Sequence, residues 1–166
     1  MAERPLNDRH SIVGRLYDQH GASLYRYALM LLADPASAAD AVQQVFTALL
    51  RPAATIAFDN EAHYLRRAIR NECFSTRRRQ RVRDDEAARS LLEPAGAAPV
   101  APEARMALER ALRALPVDQR EVVHLHVFEG LTFKEVALAT GEPPNTVASR
   151  YRYALEKLRA SFLGLP

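Results

Sequence analysis

Apolar residues recur every three or four positions along nearly the whole chain, whereas the alternating pattern of strands is nearly absent. This spacing predicts an all-α protein. Residues 8–20 and 22–33 each carry one apolar stripe, with Gly21 between them, so we expect two adjacent helices that pack together. The two stripes contain Ile12, Val13, Leu16 and Tyr17, and then Leu24, Tyr27, Ala28, Leu31 and Leu32.

The third predicted helix has clear start and stop signals. Asp34 can accept hydrogen bonds from its first amides, Pro35 suits the first helical position, and Pro52 ends it. Its apolar stripe consists of Ala38, Ala41, Val42, Val45, Phe46, Leu49 and Leu50. The other side carries Asp40, Gln43, Gln44 and Thr47, which physical reasoning alone treats as an ordinary solvated surface.

A loop is predicted for residues 51–60, because this segment mixes a proline and small residues with the isolated Phe58. Loops of this length frequently carry function. Asn60 can cap the helix that follows. The inward face of that helix is expected to contain Tyr64, Leu65, Ala68, Ile69 and Cys73.

Arginines are concentrated on this same helix. Arg66, Arg67 and Arg70 are followed by five more arginines within residues 77–83. A solvated helix end whose cations complement the helix dipole would explain residues 77–79, but not the whole ridge. The ridge therefore favours a polyanionic partner such as nucleic acid.

Residues 84–101 form an acidic stretch followed by proline, alanine and glycine, which is typical of a linker. Two domains are therefore predicted, at residues 8–83 and 102–163. The second domain begins with a helix that ends at Pro116 and another that ends at Gly130. Their apolar residues are Met106, Leu108, Ala111, Leu112 and Leu115, and then Val122, Val123, Leu125, Val127 and Phe128.

A helix-turn-helix is predicted at residues 132–159. Thr132 and Glu135 form a capping box, Gly141 supplies the left-handed residue that ends the first helix, and Pro144 suits the first position of the second. The second helix is expected to bury Val147, Tyr151, Ala154, Leu155 and Leu158. Its leading end and other face carry Asn145, Thr146, Ser149, Arg150 and Arg152, which suit base edges and phosphates in a major groove. An ordinary amphipathic hairpin with a solvated face is the alternative.

The formal net charge is only +3, but residues 1–83 carry 13 basic and 8 acidic groups, so the basic surplus lies in the first half. The single Cys73 excludes an intrachain disulfide, and the first residues lack the apolar core of a signal peptide. We therefore expect a cytoplasmic protein without membrane insertion. No phosphate-binding glycine loop, HExxH, CxxC or nucleophile elbow is present, so we expect no catalytic residue, cofactor or metal.

Three segments occur in a characteristic order: LYRYALMLLADPASAADAVQQVF (24–46), YLRRAIRNECFSTRRR (64–79), and ALRALPVDQREVVHLHVFEGLTFKEVALATG through NTVASRYRYALEKLR (111–159). In this order they resemble bacterial extracytoplasmic-function sigma factors. Together they cover nearly the whole chain outside the linker. The resemblance implies a protein that binds core RNA polymerase and directs it to specific promoters.

The same resemblance implies roles for individual residues. In that family the third predicted helix docks on core polymerase, which implies core-binding roles for Asp40, Gln43, Gln44 and Phe46. The loop and the helix after it read the minus-ten element and hold a flipped base of the melted non-template strand. These roles would fall to Phe58, Asp59, Asn60, Arg66, Arg67, Arg70, Asn71, Arg77 and Arg78. The second domain would read duplex DNA at the minus-thirty-five element through Asn145, Thr146, Ser149, Arg150 and Arg152.

The chain departs from the family pattern at Gln44, Leu50, Tyr64, Ala148 and Tyr153. The promoter sequence, and whether an anti-sigma factor binds the chain, therefore stay open. The main alternative is an operator-binding regulator that acts as a dimer. The other alternative is a helical protein whose arginine ridge binds RNA or an acidic partner without reading bases.

Overall fold

The computed structural model describes residues 4–54, 56, 58–84 and 102–163. Within these ranges the chain forms seven α-helices and one π-helical turn, and contains no strand. The predicted all-α class is therefore confirmed. The first three helices belong to one compact unit and the last four to another. The predicted linker lies outside the described residues, except for Asp84 at the end of a helix.

The first unit consists of α1 (Arg4–Leu32), α2 (Pro35–Leu50) and α3 (Glu61–Asp84), and each of these helices contacts the other two. Its core is built from one apolar face of each helix, as the helical spacing predicts. The side chains that are fully or almost fully buried include Leu16, Tyr27, Leu31, Ala41, Leu49, Leu65, Ile69 and Cys73.

Helix α1 is one continuous helix of 29 residues, so the predicted break at Gly21 is wrong. The apolar stripe runs in phase through the glycine. Val13, Leu24 and Leu31 fall within about 20° of one another around an ideal helix, and all three are buried. Gly21 is itself buried on this face, where a side chain would meet the ring of Tyr17.

Two residues assigned to the α1 stripe are exposed instead. Ile12 and Tyr17 lie at the edge of the buried face, and Tyr17 is 54% exposed. The Tyr17 ring nevertheless packs edge-on against Phe46 of α2, with 5.1 Å between the ring centroids. The Tyr17 ring therefore covers Phe46 at the edge of the core.

The junction between α1 and α2 follows the predicted caps. Ala33 ends α1 with a φ of +62°, and its amide donates to the Leu29 carbonyl at 2.8 Å. Asp34 then caps α2, because its Oδ2 accepts a hydrogen bond of 2.8 Å from the amide of Ser37. Hydrogen bonds from the Ser37 side chain and amide lower the pKa of the Asp34 carboxyl. Pro35 is the first helical residue, as predicted.

The second unit consists of α4 (Pro102–Ala114), α5 (Val117–Val123), α6 (Phe133–Thr140) and α7 (Pro144–Leu163). Its buried side chains include Leu115, Val122, Val123, Leu125, Val136, Val147 and Ala154. Met106, Leu108 and Leu155 are exposed, so their predicted inward positions are wrong. Burial in this unit is concentrated on the helix-turn-helix and α5.

Helix α5 does not continue as an α-helix to Gly130 but passes into a π-helical turn at His124–Phe128. The Glu129 amide donates to the His124 carbonyl at 3.1 Å, a bond across five residues. The wider turn changes the phase of the residues that follow it. Val127 and Phe128 are consequently exposed, contrary to the prediction, whereas Leu125 stays buried.

The helix-turn-helix begins and turns as the sequence predicts. The Thr132 side chain and amide both bond to Glu135, which forms the complete capping box of α6. Gly141 adopts the left-handed conformation, with φ of +73°, and its amide donates to the Ala137 carbonyl. Helix α7 then begins at Pro144.

Candidate nucleic-acid interface

The loop between α2 and α3 begins at a cluster of carbonyl groups that surround Arg9 of α1. Nη1 of Arg9 donates to the carbonyls of Leu49 at 3.0 Å, Arg51 at 2.9 Å and Ala54 at 3.0 Å, and Nη2 donates to that of Pro52 at 3.3 Å. The last carbonyls of a helix lack intrahelical donors and carry partial negative charge. Arg9 therefore satisfies the end of α2 and gathers the start of the loop.

The far end of the loop is also held by α1. Arg15 forms a two-pronged ion pair with Glu61 in the first turn of α3, with Nη2 to Oε1 at 2.7 Å and Nη1 to Oε2 at 3.1 Å. The hydrogen bond from Arg15 lowers the pKa of the Glu61 carboxyl. The same bond raises the pKa of Arg15. One helix thus fixes both ends of the loop.

Aromatic stacking shapes the last part of the loop. The rings of Phe58 and Tyr64 are stacked, with 4.3 Å between centroids and 24° between planes. Tyr64 is 44% exposed, so its predicted inward position is wrong, because Leu65 and Ile69 define the buried face of α3 and Tyr64 lies at its edge. Asn60 caps α3 as predicted, since its Oδ1 accepts a 3.0 Å hydrogen bond from the amide of His63.

An open cavity of about 370 Å³ lies between α2, the loop and α3. Its walls include Gln44, Ala48, Leu49, Arg51, Ala54, Tyr64, Ala68 and Glu72. Asn71 is exposed one helical turn after Ala68, and residues three apart on a helix are neighbours. The amide of Asn71 therefore belongs to the same side of α3 as the cavity wall.

The arginine ridge of α3 is not a uniform cationic surface. Nη1 of Arg77 donates to the Leu31 carbonyl at the end of α1, at 2.7 Å. Arg79 forms a 2.8 Å ion pair with Glu72. Both arginines therefore have partners within the first unit.

The other described arginines of the ridge share one face. Arg66, Arg67, Arg70 and Arg78 span about 120° around an ideal helix, and Arg67 and Arg78 are exposed. Arg66 and Arg70 are half-buried, and the Arg70 guanidinium lies over the Phe74 ring at 4.4 Å from its centroid. The side chains of Arg81 and Arg83 lie outside the described residues.

The residues predicted to bind core polymerase divide into two groups. Asp40, Gln43 and Gln44 are exposed on α2. Phe46 is only 6% exposed and packs in the core against Tyr17. In the free chain Phe46 therefore offers little surface to a partner. The ring that it contacts at the surface is that of Tyr17.

In the second unit, α7 presents a polar face opposite its buried residues. Asn145 and Arg152 are exposed, and Thr146 and Ser149 are half-buried. Asn145, Ser149 and Arg152 follow one another at spacings of four and three, so they line one side of the helix. The Arg152 guanidinium lies 5.1 Å from the centroid of the Tyr153 ring.

Arg150 lies toward the packed side of α7. Its Nε is 3.2 Å from Oδ2 of Asp118 and its Nη1 is 3.2 Å from Oε1 of Glu142, and the side chain is 23% exposed. The sequence predicted an arginine displayed to DNA. Two carboxylates hold it against α5 and the turn instead.

His126 is a residue whose structural role the sequence did not reveal. Its Nδ1 lies 2.6 Å from the Leu131 carbonyl, and its ring packs against Phe133 and Tyr151 with centroid distances of 4.6 and 4.9 Å. It therefore joins the segment before α6 to α7. In the parts of the chain that the structure describes, no group of three or more histidines, cysteines or acidic residues is arranged to hold a metal ion. No helix in these parts is long and apolar enough to cross a membrane.

Comparison with known proteins places both units in one family. Residues 16–83 match sigma-70 region 2, and residues 105–158 match sigma-70 region 4. The chain is 31% identical over 165 residues to the ECF RNA polymerase sigma factor SigL of Mycobacterium tuberculosis. The match covers 90% of this chain and 88% of SigL. The chain belongs to the ECF RNA polymerase sigma factor family. The resemblance found in the three sequence segments is thus confirmed.

As an ECF sigma factor the chain is a transcription initiation factor of the sigma-70 family. Region 2 of this sigma factor contains the anchored loop and the arginine face of α3, and region 4 contains the helix-turn-helix.

Two solved structures share the fold. RpoE from Bartonella quintana, in complex with the anti-sigma factor NepR, gives a TM-score of 0.64 with 19% identity and covers 99% of this chain and 100% of that chain. CnrH, in complex with the cytosolic domain of CnrY, gives a TM-score of 0.59 with 24% identity and covers 89% and 85%.

Proposed function

We propose that this ECF sigma factor binds core RNA polymerase and directs it to promoters with two recognised elements. Region 2 reads the minus-ten element and starts strand separation, and region 4 reads the minus-thirty-five element. The observation that carries the proposal is the anchored loop beside an open cavity in a chain that also contains a helix-turn-helix. The proposed domains are residues 8–83 and 102–163, joined by a linker at 84–101.

The cavity between α2, the loop and α3 is the proposed site for an extruded base of the non-template strand. Its volume of about 370 Å³ is ample for one nucleobase. The Phe58 and Tyr64 rings provide a stacking surface at its edge, and base stacking on aromatic rings is worth about 1–3 kcal/mol. The Asn71 amide carries both donors and an acceptor for a base edge. Stacking and hydrogen bonding in such a pocket offset the loss of stacking in the duplex.

The cationic face of α3 is the proposed contact with the DNA backbone. Arg66, Arg67, Arg70 and Arg78 share one side of the helix, where guanidinium groups suit phosphate oxygens. Asp59 and Asn60 lie exposed at the end of the loop and complete the proposed minus-ten surface. We assign Arg77 a supporting role there, because its guanidinium binds the Leu31 carbonyl.

Region 4 is proposed to place the start of α7 in the major groove. Asn145, Thr146, Ser149 and Arg152 then supply the side chains that reach base edges and phosphates. Arg150 fixes the angle of the helix through its two carboxylate partners, which more than offset its positive charge, so it adds no net attraction for DNA.

The exposed side chains of Asp40, Gln43 and Gln44 on α2 are the proposed contacts with core polymerase, with Phe46 supporting them from the core. An anti-sigma factor is a further proposed partner. RpoE was solved in complex with the anti-sigma factor NepR, and CnrH was solved in complex with the cytosolic domain of CnrY. All these partners act on a chain that we propose is cytoplasmic.

Transcription by purified core polymerase across a promoter library tests the proposal. With the chain added, we expect initiation from promoters that share two elements at a fixed spacing. The free chain should bind the same DNA weakly, with steep salt dependence and little sequence preference, because polymerase sets the distance between its two reading units. Tight and sequence-specific binding by the free chain, without any effect on core polymerase, would instead indicate an operator-binding regulator.

A further inference from the structure

We propose that Arg9 is a positioning residue for the base-capturing loop and thereby contributes to minus-ten selectivity. The proposal rests on the proposed function of region 2. Its basis is the set of four backbone carbonyls, from Leu49, Arg51, Pro52 and Ala54, that accept hydrogen bonds from one guanidinium.

The full set of four contacts requires an arginine. A guanidinium presents N–H donors in a rigid plane, so it can reach carbonyls that lie in different directions around one point. Three of the four carbonyls approach Nη1, and a lysine ammonium, with three donors at one point, could meet these but would leave the Pro52 carbonyl without its donor. Hydrogen bonds from a charged donor are also stronger than those between neutral groups. The geometry at Arg9 therefore depends on shape as well as on charge.

The anchored backbone forms part of the cavity wall. The carbonyls of Leu49, Arg51 and Ala54 accept hydrogen bonds from Arg9, and the same residues line the cavity beside α3. Arg9 is not itself a wall residue, and it holds three wall residues through their backbone. Without it, these carbonyls must find water and the wall loses its fixed shape.

A looser wall affects base selection in a defined way. If the loop occupies its binding conformation for about a tenth of the time, its apparent affinity for the correct base falls about tenfold. Discrimination between bases falls as well, because alternative loop shapes accept other bases. Core binding by α2 is unaffected, since Asp40, Gln43 and Gln44 lie outside the contact.

The test compares Arg9→Ala and Arg9→Lys in the full-length chain with Arg26→Ala, which removes the same charge from an exposed position on the same helix. Each protein is assembled with core polymerase and used to transcribe a library with a randomised minus-ten element. Parallel reactions use one promoter as intact duplex and as a template pre-melted around the minus-ten region. Core affinity is measured for every variant.

Arg9→Ala should lower transcription from duplex promoters by about tenfold and flatten the base preference in the minus-ten element, and Arg9→Lys should cause smaller changes in the same direction. Arg26→Ala should match the unaltered chain in both measurements. Wild-type base preference in both Arg9 variants would overturn the proposal. So would an equal loss of activity on all templates accompanied by a loss of core affinity, which would mark Arg9 as a residue of general stability.

Hydrogen exchange in the free chain provides a second test that needs no DNA. The Ala54 amide donates to the Arg51 carbonyl at 3.0 Å within the anchored turn. Arg9→Ala should raise exchange at this amide while leaving the core of α3 protected. Unchanged exchange at Ala54 would overturn the anchoring role even if the variant transcribed poorly.

Failure of this proposal can be told apart from failure of the proposed function. If Asn71→Ala impairs duplex promoters and Arg9→Ala does not, region 2 reads the minus-ten element without the anchor. If Asn71→Ala has no effect on either template, the cavity does not capture a base. In that case the assignment of the cavity is wrong, and Arg9 has no selective role for it to support.

Discussion

Nε of Arg150 on α7 lies 3.2 Å from Oδ2 of Asp118 on α5. A second carboxylate, from Glu142, approaches Nη1 of the same guanidinium at 3.2 Å. The arginine thus connects α7 to α5 and to the turn of the helix-turn-helix. Because the side chain is 23% exposed, solvent weakens but does not abolish these attractions. The two carboxylates therefore restrain the start of α7 relative to α5 and the turn.

We expect Arg150→Ala to lower the free energy of unfolding of region 4 by about 1 kcal/mol, a value at the upper end for partly exposed ion pairs. A double-mutant cycle with Asp118→Asn, measured by urea denaturation, should give a coupling of about 0.5 kcal/mol. Arg152→Ala is the matched control, because it should weaken promoter binding with little change in stability. Unchanged stability in Arg150→Ala would contradict the positioning role.

The capture of a melted base predicts a template-dependent defect. Asn71→Ala should reduce open-complex formation on duplex promoters by about tenfold, equivalent to about 1.4 kcal/mol, and much less on a pre-melted template. Asn145→Ala in region 4 is the control, since duplex minus-thirty-five contacts are needed on both templates. Permanganate footprinting of unpaired thymines measures the opening. Equal defects of Asn71→Ala on both templates would contradict a role in melting.

The Arg15 and Glu61 pair predicts a pH-dependent stability. Because the hydrogen bond from Arg15 lowers the pKa of Glu61 in the folded chain, folding favours the ionised carboxylate. Its stabilising effect is therefore complete above the unfolded pKa of about 4.3 and is lost as the pH falls through the lower folded value. Thermal unfolding should show Arg15→Ala less stable than the unaltered chain at pH 7, with a difference that shrinks below pH about 4.

The double variant Arg15→Ala with Glu61→Gln provides the control for this pair. Once Arg15 is absent, Glu61→Gln should change the melting temperature at pH 7 very little. A difference between Arg15→Ala and the unaltered chain that stays constant down to pH about 3 would show that the effect is unrelated to Glu61 ionisation.

Three substitutions test the backbone conformation at two helix ends and inside α1. Gly141→Ala places a side chain at φ of +73° and should destabilise region 4 by about 1 kcal/mol. Gly14→Ala, in the middle of α1 with open space around it, should stabilise region 2 by about 0.5–1 kcal/mol. Ala33→Gly should relieve the strain of a φ of +62° by up to about 1 kcal/mol. Chemical denaturation measures all three, and the same sign for both glycine replacements would contradict this account.

Local signals in the sequence predicted the helix ends well. Asp34, Asn60 and the Thr132 with Glu135 capping box act on amides within three residues, so their partners can be recognised from spacing alone. Gly141 is equally local, because the left-handed conformation is a property of the residue itself.

Errors arose where the phase of a helix had to be followed over a longer distance. The apolar stripe of α1 stays in register across Gly21. Glycine is a weak helix former, but a helix accommodates it when the packing on both sides favours a continuous helix. The π turn at His124–Phe128 has the opposite effect, because its wider hydrogen bonding shifts the phase without any distinctive residue type. Phe128 was therefore assigned to the core although it is exposed.

The contacts that shape the candidate site could not be predicted. Arg9 reaches carbonyls 40 to 45 residues away, and the pairs of Arg15 with Glu61 and Arg77 with Leu31 each span 46 residues. A backbone carbonyl leaves no signal in the residue type that carries it. The composition of the ridge was correctly read as cationic, but the fold engages Arg77 with a carbonyl and Arg79 with Glu72.

The position of Arg9 affects the choice of boundaries for a region 2 fragment. The match to sigma-70 region 2 begins at residue 16, after both arginines that fix the loop. A fragment trimmed to that boundary would retain Phe58, Tyr64 and Asn71 but lose both attachments of the loop to α1. Binding data from such a fragment would describe a loop released from its anchors. The short segment 9–15 therefore belongs with the loop that we propose captures a base, although it lies outside the matched region.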